Sequence, residues 1–405
     1  MADLPDHVDV AIVGGGPAGL AAATELRHLG IASVLLLERD GQAGGVPRFC
    51  GHSPFGLREF RRPMRGPAYA AALRDAAIEA GALIRTGTTV TALGPGLSLT
   101  ASSDAGTQEI TARAILLATG TREASRAARL IGGTKPGGIL STGALQNLVY
   151  GSHARPFRRP VILGSELVSF SALLTCRHAG IRPLAMIEPG ARITARRPSH
   201  WLARALGVPL HLATDLAEIR GQSHVSSVLL SSLTGDTEME TDGVIVTGRF
   251  RPEATLARLS GIEIDTLTGG PAVDQSGRCS LPGIYAAGNM LRPVETAGWC
   301  WQEARAIARA IASDLALPPA PATATIALAP GPLKYAMPQR LSGGPDAALP
   351  RLQLRVTRPV RGRLILRAGG REIAAHSLSA LPERRILLPL PPAAQDITIA
   401  VEEAT

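Results

Sequence analysis

The stretch Val8–Gly30, "VDVAIVGGGPAGLAAATELRHLG", decides the fold class. An apolar run up to Val13 predicts a strand buried on both faces, and the later apolar residues recur at helical spacing. The turn between strand and helix carries three glycines at the spacing G-x-G-x-x-G: Gly14, Gly16 and Gly19. The first glycine permits a tight turn, the second lets a pyrophosphate approach the backbone, and the third lets helix and strand pack closely. The helix N-terminus then offers free N–H groups to an anion, so the stretch predicts a dinucleotide-binding unit.

A second strand, "ASVLLLER", follows at the distance expected in a βαβ unit and ends in Glu38. About twenty residues past the glycines, an acid accepts hydrogen bonds from an adenosine ribose, and a carboxylate there disfavours a 2′-phosphate. The alternative is an ordinary exposed acid at the end of a strand.

Two later segments distinguish FAD from NAD. "ARAILLATGTRE" runs into Ala118-Thr119-Gly120, and "LPGIYAAGNM" ends in Gly288-Asn289 before the helical segment "ETAGWCWQEARAIARAIASDL". With the first turn, these segments resemble the FAD-binding elements of the pyridine nucleotide-disulfide oxidoreductase superfamily. The resemblance covers residues 8 to 316. It implies an α/β protein with two Rossmann-like domains, FAD and NAD(P)-type, the second inserted in the first.

The resemblance also implies which residues hold FAD. Asn289 stands where the family has an aspartate that binds the ribityl chain, and an amide can still hydrogen-bond a hydroxyl. Thr296 would begin a helix whose N-terminus points at the flavin pyrimidine ring, although simple packing also explains such a helix. The expected cofactor-binding residues are Gly14, Gly16, Pro17, Ala18, Gly19, Glu38, Arg39, Gly45, Val90, Ala118, Thr119, Gly120, Gly288, Asn289, Glu295 and Thr296.

The middle of the chain repeats the opening pattern. "RRPVILGSELVSFSALLTCRHAG" reads as strand, turn and helix, and the next strand again ends in an acid, Glu188. The second turn, however, is Gly164-x-Glu166-x-x-Ser169, which places a carboxylate where a pyrophosphate must touch bare backbone. We therefore expect a Rossmann-like domain in which NAD(P)H binding is lost or greatly weakened.

A loop rich in arginine follows Gly44-Gly45: "VPRFCGHSPFGLREFRRPMRG". No pair of redox cysteines is present, which excludes thioredoxin reductase chemistry. One interpretation has the arginines contacting FAD phosphates, acids or a neighbouring subunit. A second has Arg48 or Arg58 clamping a substrate anion, with His52 as proton acceptor and Glu295 orienting substrate. A third has Cys50 as a lone redox thiol.

A further segment, Gly138 to Gln146 within "GGILSTGALQ", narrows the family. It resembles a connection in the flavin subunits of hydrogen cyanide synthase, opine oxidase and heteromeric amino-acid dehydrogenases. The resemblance implies an FAD protein that works beside a second flavoprotein subunit, takes electrons from an amine, amino acid or similar small anionic substrate, and passes them onward. The alternatives are a single-component NAD(P)H-dependent FAD reductase and an organising subunit of a glycerol-phosphate-type or amino-acid dehydrogenase with little activity of its own.

The C-terminal part lacks the cysteine-rich iron–sulfur module that such subunits often carry. Its residues alternate between apolar and polar after a Pro/Ala-rich linker, which predicts a small all-β domain for docking or covering. The expected FAD domain is in two parts, residues 1–122 and 249–316, with the inserted domain at 123–248 between them. The linker is expected at residues 317–332 and the β domain at 333–405.

Composition narrows the remaining possibilities. The chain has 405 residues, of which 45% are hydrophobic and 19% charged, as in globular proteins. The four cysteines are far apart and give no metal or disulfide pattern. The net charge of +9 comes from interspersed arginines, and only 3% of residues are aromatic, so a nucleic-acid partner is not expected. Neither a leader nor a transmembrane segment is visible, and we expect a cytoplasmic protein that acts on a small molecule.

Overall fold

The computed structural model describes residues 4–196, 198–343, 347–392 and 395–404. The elements of the first part of the chain are β1 (His7–Val13), α1 (Pro17–His28), β2 (Val34–Leu37), α2 (Gly66–Glu79), β3 (Leu83–Arg85), β4 (Thr89–Gly94), β5 (Ser98–Ser103) and β6 (Gly106–Leu117). The first sheet is seven-stranded and mostly parallel, in the order β3-β2-β1-β6-β5-β4, with a later strand beside β6. A 3-10 turn spans Val46–Phe49. Gly30 lies just beyond the end of α1 and takes a left-handed φ of 84°, as is common for a glycine that ends a helix.

The elements of the second part of the chain are β7 (Thr121–Arg122), β8 (Gly132–Gly133), β9 (Ile139–Ser141), α3 (Thr142–Gln146), β10 (Val161–Leu163), α4 (Leu167–His178), β11 (Ala185–Ile187), α5 (His200–Ala205), β12 (Leu210–His211), β13 (Thr214–Gly221), β14 (Val225–Ser232), β15 (Gly235–Glu240), β16 (Val244–Val246) and β17 (Arg251–Pro252). Five of these strands form a parallel sheet in the order β12-β11-β10-β16-β9. A four-stranded sheet, β15-β14-β13-β8, packs on one face of it, and helices cover the other.

The chain then returns to the first sheet. The short strands β7 and β17 pair antiparallel where the chain leaves and re-enters the first unit. The returning elements are α6 (Thr255–Leu259), β18 (Ile284–Ala286), which pairs parallel with β6, and the long helix α7 (Ala297–Ala316). Helices α1 and α7 bury their apolar faces against this sheet in one core. The fold class expected from the sequence is therefore confirmed, with two Rossmann-like units and the second inserted in the first.

The C-terminal residues form two antiparallel-rich sheets that share an apolar core, as in a β-sandwich. The strands are β19 (Ala322–Leu328), β20 (Leu333–Met337), β21 (Arg340–Ser342), β22 (Arg351–Val356), β23 (Val360–Ala368), β24 (Arg371–Ala380), β25 (Ile386–Pro389) and β26 (Ile397–Glu403). One expectation was wrong here. The Pro/Ala-rich stretch 317–332 is not only a linker, since β19 lies within it and pairs with β21 and β26.

The C-terminal unit packs directly on the first unit. The Gln339 backbone N–H donates to the Val273 carbonyl (3.0 Å), and Arg278 bonds Asp314 on α7 and Ser342 on β21. Within the described residues, no helix combines the length and apolarity needed to cross a membrane.

Candidate functional site

The three glycines of the first turn have three different surroundings. A Cβ on Gly14 would lie 2.5 Å from the Ala118 carbonyl oxygen, and one on Gly19 would lie 1.9 Å from the Gly14 carbonyl oxygen. These two glycines are therefore required by packing. A Cβ on Gly16 would meet only the Gly45 Cα, at 4.0 Å. The backbone at Gly16 is open at the start of α1, which is the surface that a pyrophosphate needs.

The acid at the end of β2 lies beside this turn. Glu38 is buried, and its carboxylate accepts hydrogen bonds from the backbone N–H groups of Gly15 (2.7 Å) and Asp40 (2.9 Å). Its position fits the ribose contact expected for it. Arg39 is exposed beside Asp40, and Val90 lies half-buried on β4 against the core.

Gly44 and Gly45 lie in the loop after β2. A Cβ on Gly45 would lie 2.8 Å from the Gly16 Cα, so this loop approaches the first turn. Arg48 follows on the 3-10 turn. Its guanidinium forms an ion pair with Asp40 and donates a hydrogen bond to the Gly45 carbonyl (3.3 Å). The arginine expected to clamp a substrate anion thus has an acidic partner in its own chain.

The end of β6 lies on the other side of the turn. The Ala118 N–H donates to the Val13 carbonyl (2.8 Å), which fixes Ala118 beside Gly14. The Thr119 hydroxyl donates to the Glu253 carbonyl (2.7 Å), and the Glu253 N–H donates to the Gly120 carbonyl (2.9 Å). The Ala118-Thr119-Gly120 segment therefore joins the first unit to the chain that returns from the second.

The late segment closes the same edge of the sheet. A Cβ on Gly288 would lie 2.8 Å from the Ala18 Cβ, so the segment after β18 rests on the start of α1, one residue beyond Pro17. The Asn289 amide bonds the Glu295 backbone twice: Nδ2 donates to the carbonyl (3.1 Å), and Oδ1 accepts from the N–H (2.7 Å). Helix α7 begins where the sequence predicts, with Thr296 as its N-cap.

Glu295, expected to orient a substrate, has ion-pair partners within its own chain. Its side chain is only 5% exposed, and both carboxylate oxygens lie near arginines of the C-terminal unit. Arg355 Nη2 is 2.8 Å from Oε1, and Arg385 Nε is 3.4 Å from Oε2. A carboxylate that is buried and paired in this way loses much stability when one partner is removed, which favours a structural role for Glu295.

The arginine-rich loop packs on the inserted unit. His52 Nε2 lies 2.7 Å from the Ser171 hydroxyl on α4, and burial lowers the pKa of the imidazole. The Cys50 thiol lies 3.6 Å from Gln146 Oε1, and burial raises its pKa to about 12. Gln146 Nε2 donates to the same Ser171 hydroxyl (2.8 Å). The loop brings together a neutral imidazole and a protonated thiol, which does not favour Cys50 as a redox nucleophile.

The second turn repeats the first with different donors. The Ser165 hydroxyl donates to Glu188, which stands at the end of β11 as Glu38 stands at the end of β2. The Glu166 carboxylate accepts a hydrogen bond from the Arg249 N–H (3.0 Å), and a Cβ on Gly248 would lie 2.4 Å from its carboxyl carbon. The space in front of the second turn is therefore partly filled by Glu166.

Sequence reasoning missed several residues around these segments. Ser171 and Gln146 contact the loop after Gly45, and Trp299 lies between the guanidinium groups of Arg58 (3.8 Å from the ring centroid) and Arg385 (4.0 Å). Gln146, Ser171 and Trp299 all lie in segments that the sequence analysis quotes, but nothing in those segments marks these positions. Their partners come from distant parts of the chain and leave no local pattern.

Comparison with known proteins agrees with this geometry. Residues 8–310 match the family model for pyridine nucleotide-disulphide oxidoreductases. The ferredoxin–NAD(+) reductase subunit of the benzene 1,2-dioxygenase system of Pseudomonas putida is 28% identical, over 75% of this chain and 74% of that protein. One of the subunits of opine oxidase from Agrobacterium tumefaciens (strain Ach5) is 25% identical, over 71% of this chain but only 62% of its own length.

Solved structures show the same fold. Thioredoxin reductase of T. acidophilum superposes with a TM-score of 0.65 at 23% identity, covering 76% of this chain and 99% of its own. L-proline dehydrogenase from P. horikoshii gives a TM-score of 0.60 at 20% identity, covering 76% of this chain and 56% of its own.

The residues present fit FAD. The open backbone at Gly16 and the carboxylate of Glu38 suit the pyrophosphate and ribose, and the N-terminus of α7 reaches the same sheet edge. FAD supplies the two-electron chemistry when it is bound. The chain belongs to the pyridine nucleotide-disulphide oxidoreductase family and is an FAD-dependent oxidoreductase.

Proposed function

We propose that this protein is the flavin-bearing subunit of a heteromeric dehydrogenase or oxidase that oxidises an amine, an amino acid or a similar small anionic substrate and passes the electrons onward. The observation that carries the proposal is the carboxylate of Glu166 in the second turn. Glu166 corresponds in the turn to Gly16 of the first unit. A carboxylate at that position would repel the pyrophosphate of a nicotinamide dinucleotide, because like charges repel. The electrons then have to come from an organic substrate or a partner subunit.

The surroundings of the second turn support the same view. The Thr194 N–H donates to the Ser165 hydroxyl (2.9 Å), so the loop after β11 lies across the turn. Arg192 in this loop pairs with Glu383 of the C-terminal unit (2.7 Å). Both contacts reduce the space for a nicotinamide dinucleotide in front of the second turn. The resemblance to the opine oxidase chain, and that of Gly138 to Gln146 to the flavin chains of hydrogen cyanide synthase and amino-acid dehydrogenases, supplies the substrate class and the second flavoprotein.

Within this proposal, His52 is the proton acceptor and Arg58 holds the anionic group of the substrate. The imidazole of His52 is neutral because burial lowers its pKa, and a neutral imidazole can take a proton from an ammonium group. Arg58 is exposed, but it is held in place by the Trp299 ring and by Gln302 Oε1 (2.7 Å). Arg48 is the weaker candidate, because Asp40 already neutralises it.

The deciding experiment is an anaerobic titration of the FAD-loaded full chain with NADH and NADPH, followed by flavin absorbance. We expect no rapid bleaching by either nucleotide, whereas dithionite bleaches the same sample and shows that the flavin is reducible. Rapid bleaching at micromolar nucleotide would contradict the proposal.

That result would favour a second candidate, an NAD(P)H-dependent reductase of a protein electron carrier. The similarity to the ferredoxin–NAD(+) reductase of Pseudomonas putida supports it. Co-purification from the native source separates the candidates further. A bound second flavoprotein that confers dye reduction by amino acids supports the first candidate, and a bound complex without any dye reduction supports an organising role instead.

A further inference from the structure

The segment that precedes α7 is fastened by the C-terminal unit. Arg355 on β22 donates from Nη2 to the Val294 carbonyl (3.1 Å) and to the Glu295 carboxylate (2.8 Å). Arg385 reaches the other carboxylate oxygen, and its guanidinium also stacks 4.0 Å from the Trp299 ring centroid in the first turn of α7. Two arginines of the C-terminal unit thus contact residues on both sides of Thr296, the N-cap of α7 in the first unit.

This segment lies at the edge of the sheet where the flavin binds. Strands β1, β6 and β18 are parallel neighbours, so their carboxyl ends share one edge. Open α/β sheets bind their ligands at that edge. The contact of Gly288 with Ala18 places the segment after β18 beside the open backbone of Gly16, from which the flavin end of FAD must extend.

The ion-paired charges around the segment are buried, and their numbers are not equal. Three arginines, Arg292, Arg355 and Arg385, face two carboxylates, Glu295 and Glu303. The side chains of Arg292, Glu295 and Glu303 are 2%, 5% and 5% exposed. Such charges act over longer distances than exposed ones, because little water screens them.

We propose that Arg355 and Arg385 are positioning residues for the flavin site: through Glu295 they fix the segment Val294–Trp299 and maintain the positive potential at the start of α7 that stabilises reduced flavin. The C-terminal unit is then a working part of the flavin site. Removal of Arg355 leaves the Glu295 charge less compensated and disfavours the reduced state, whereas removal of the Glu295 charge favours it.

The test uses the FAD-loaded full chain and the midpoint potential of its flavin, measured by equilibration with a reference dye. At a fixed potential, we expect Arg355→Gln to lower the ratio of reduced to oxidised flavin roughly three- to tenfold and Glu295→Gln to raise it by a similar factor. Arg355→Lys keeps the charge and restores most of the ratio. The control is Arg358→Gln, which removes an exposed pair with Glu403 on the same unit and leaves the ratio unchanged.

The opposite shifts in flavin potential expected for Arg355→Gln and Glu295→Gln distinguish this role from a purely structural one. A structural role predicts weaker FAD binding and lower thermal stability in both variants, with no opposite shifts in potential. Equal potentials in Arg355→Gln, Glu295→Gln and the unmodified protein would overturn the proposal, as would shifts of the same sign. If Arg355→Gln does not fold, Arg385→Gln and Glu295→Gln provide the same opposed pair.

Discussion

Glu166 occupies in the second turn the position that Gly16 occupies in the first, and both turns begin with a glycine of positive φ, Gly14 (109°) and Gly164 (116°). In both, the residue before that position bonds the acid at the end of the next strand, Glu38 or Glu188. The inserted unit thus keeps the frame of a dinucleotide site, while Glu166 partly fills the space in front of its turn.

We therefore expect Glu166→Gly to gain NADH affinity by at least about tenfold, because the variant removes a negative charge from the path of the pyrophosphate. Nucleotide binding to the full chain can be followed by equilibrium dialysis. Glu240→Gly, at an exposed acid on β15, is the matched control and should bind NADH no better than the unmodified chain. Equal affinity in the unmodified chain and Glu166→Gly would show that Glu166 does not restrict the site.

At the first turn we predict that a substitution abolishes FAD binding. Gly16→Val should purify as a folded but colourless protein, because its side chain would project into the space that the pyrophosphate requires. The measurement is the flavin absorbance per mole of chain. Gly343→Val serves as control, since a Cβ at Gly343 meets nothing within 4 Å and should leave the flavin content unchanged. A fully yellow Gly16→Val protein would contradict the assignment of this turn.

The first turn also shows what the sequence could predict. The glycine spacing predicts a tight turn at Gly14 and close packing of helix on strand at Gly19. Gly14 has a φ of 109°, and a Cβ on Gly19 would collide with the Gly14 carbonyl. Both features follow from a local strand–turn–helix unit, so a short stretch of sequence is enough to specify them. The beginning of α7 was predictable for the same reason, because a periodic helix pattern follows Thr296 directly.

The surroundings of Glu295 were not predictable. Its partners Arg355 and Arg385 follow it by 60 and 90 residues in the sequence and belong to another unit, and no local pattern encodes such a pairing. The strand β19 was missed because proline and alanine suggest a linker, although tertiary pairing with β26 overrides that tendency.

The cysteines should be unreactive in the folded protein. All four are free and buried, and burial raises the pKa of Cys50, Cys176, Cys279 and Cys300 to about 12. At about pH 8 very little thiolate is present, so we expect a thiol-specific disulfide reagent to label less than about one equivalent quickly and about four equivalents after unfolding in urea. Rapid labelling of Cys50 alone would revive its interpretation as a redox thiol.

His52 should make stability depend on pH. Burial lowers its pKa in the folded state below the ordinary value of 6.5, so the unfolded chain binds the proton more readily. The contribution of His52 to stability is therefore complete at high pH and decreases as the pH falls below about 6.5, until the folded form is also protonated. His52→Gln can keep a bond to Ser171 but does not titrate. Its urea midpoint should fall less between about pH 7.5 and about pH 5 than that of the unmodified chain.

The matched control for this pH dependence is His224→Gln, at an exposed histidine before β14. Its urea midpoint should fall by as much as that of the unmodified chain over the same pH range. If the midpoint of His52→Gln also falls by that amount, the imidazole of His52 does not contribute to the pH dependence and is not held neutral by burial.

The buried ion pair under α7 gives the largest expected loss of stability. Arg292 and Glu303 are 2% and 5% exposed in their side chains and are joined by two hydrogen bonds, of 3.0 and 2.7 Å, while Glu303 also accepts from the Gly288 N–H (3.0 Å). Glu303→Leu leaves the guanidinium buried without its partner and should lower the free energy of unfolding by about 3–5 kcal/mol.

The double variant Arg292→Met with Glu303→Leu removes both charges and should recover most of that loss, because burying a well-packed apolar pair costs no desolvation of charge. Urea denaturation gives the free energy of unfolding of the FAD-loaded unmodified chain, of Glu303→Leu and of the double variant. Glu372→Leu, on an exposed pair with Arg363, should change the free energy by less than about 1 kcal/mol. The double variant could instead be as unstable as Glu303→Leu alone. In that case the lost hydrogen-bond acceptor for the Gly288 N–H, rather than the charge balance, determines the stability of this segment.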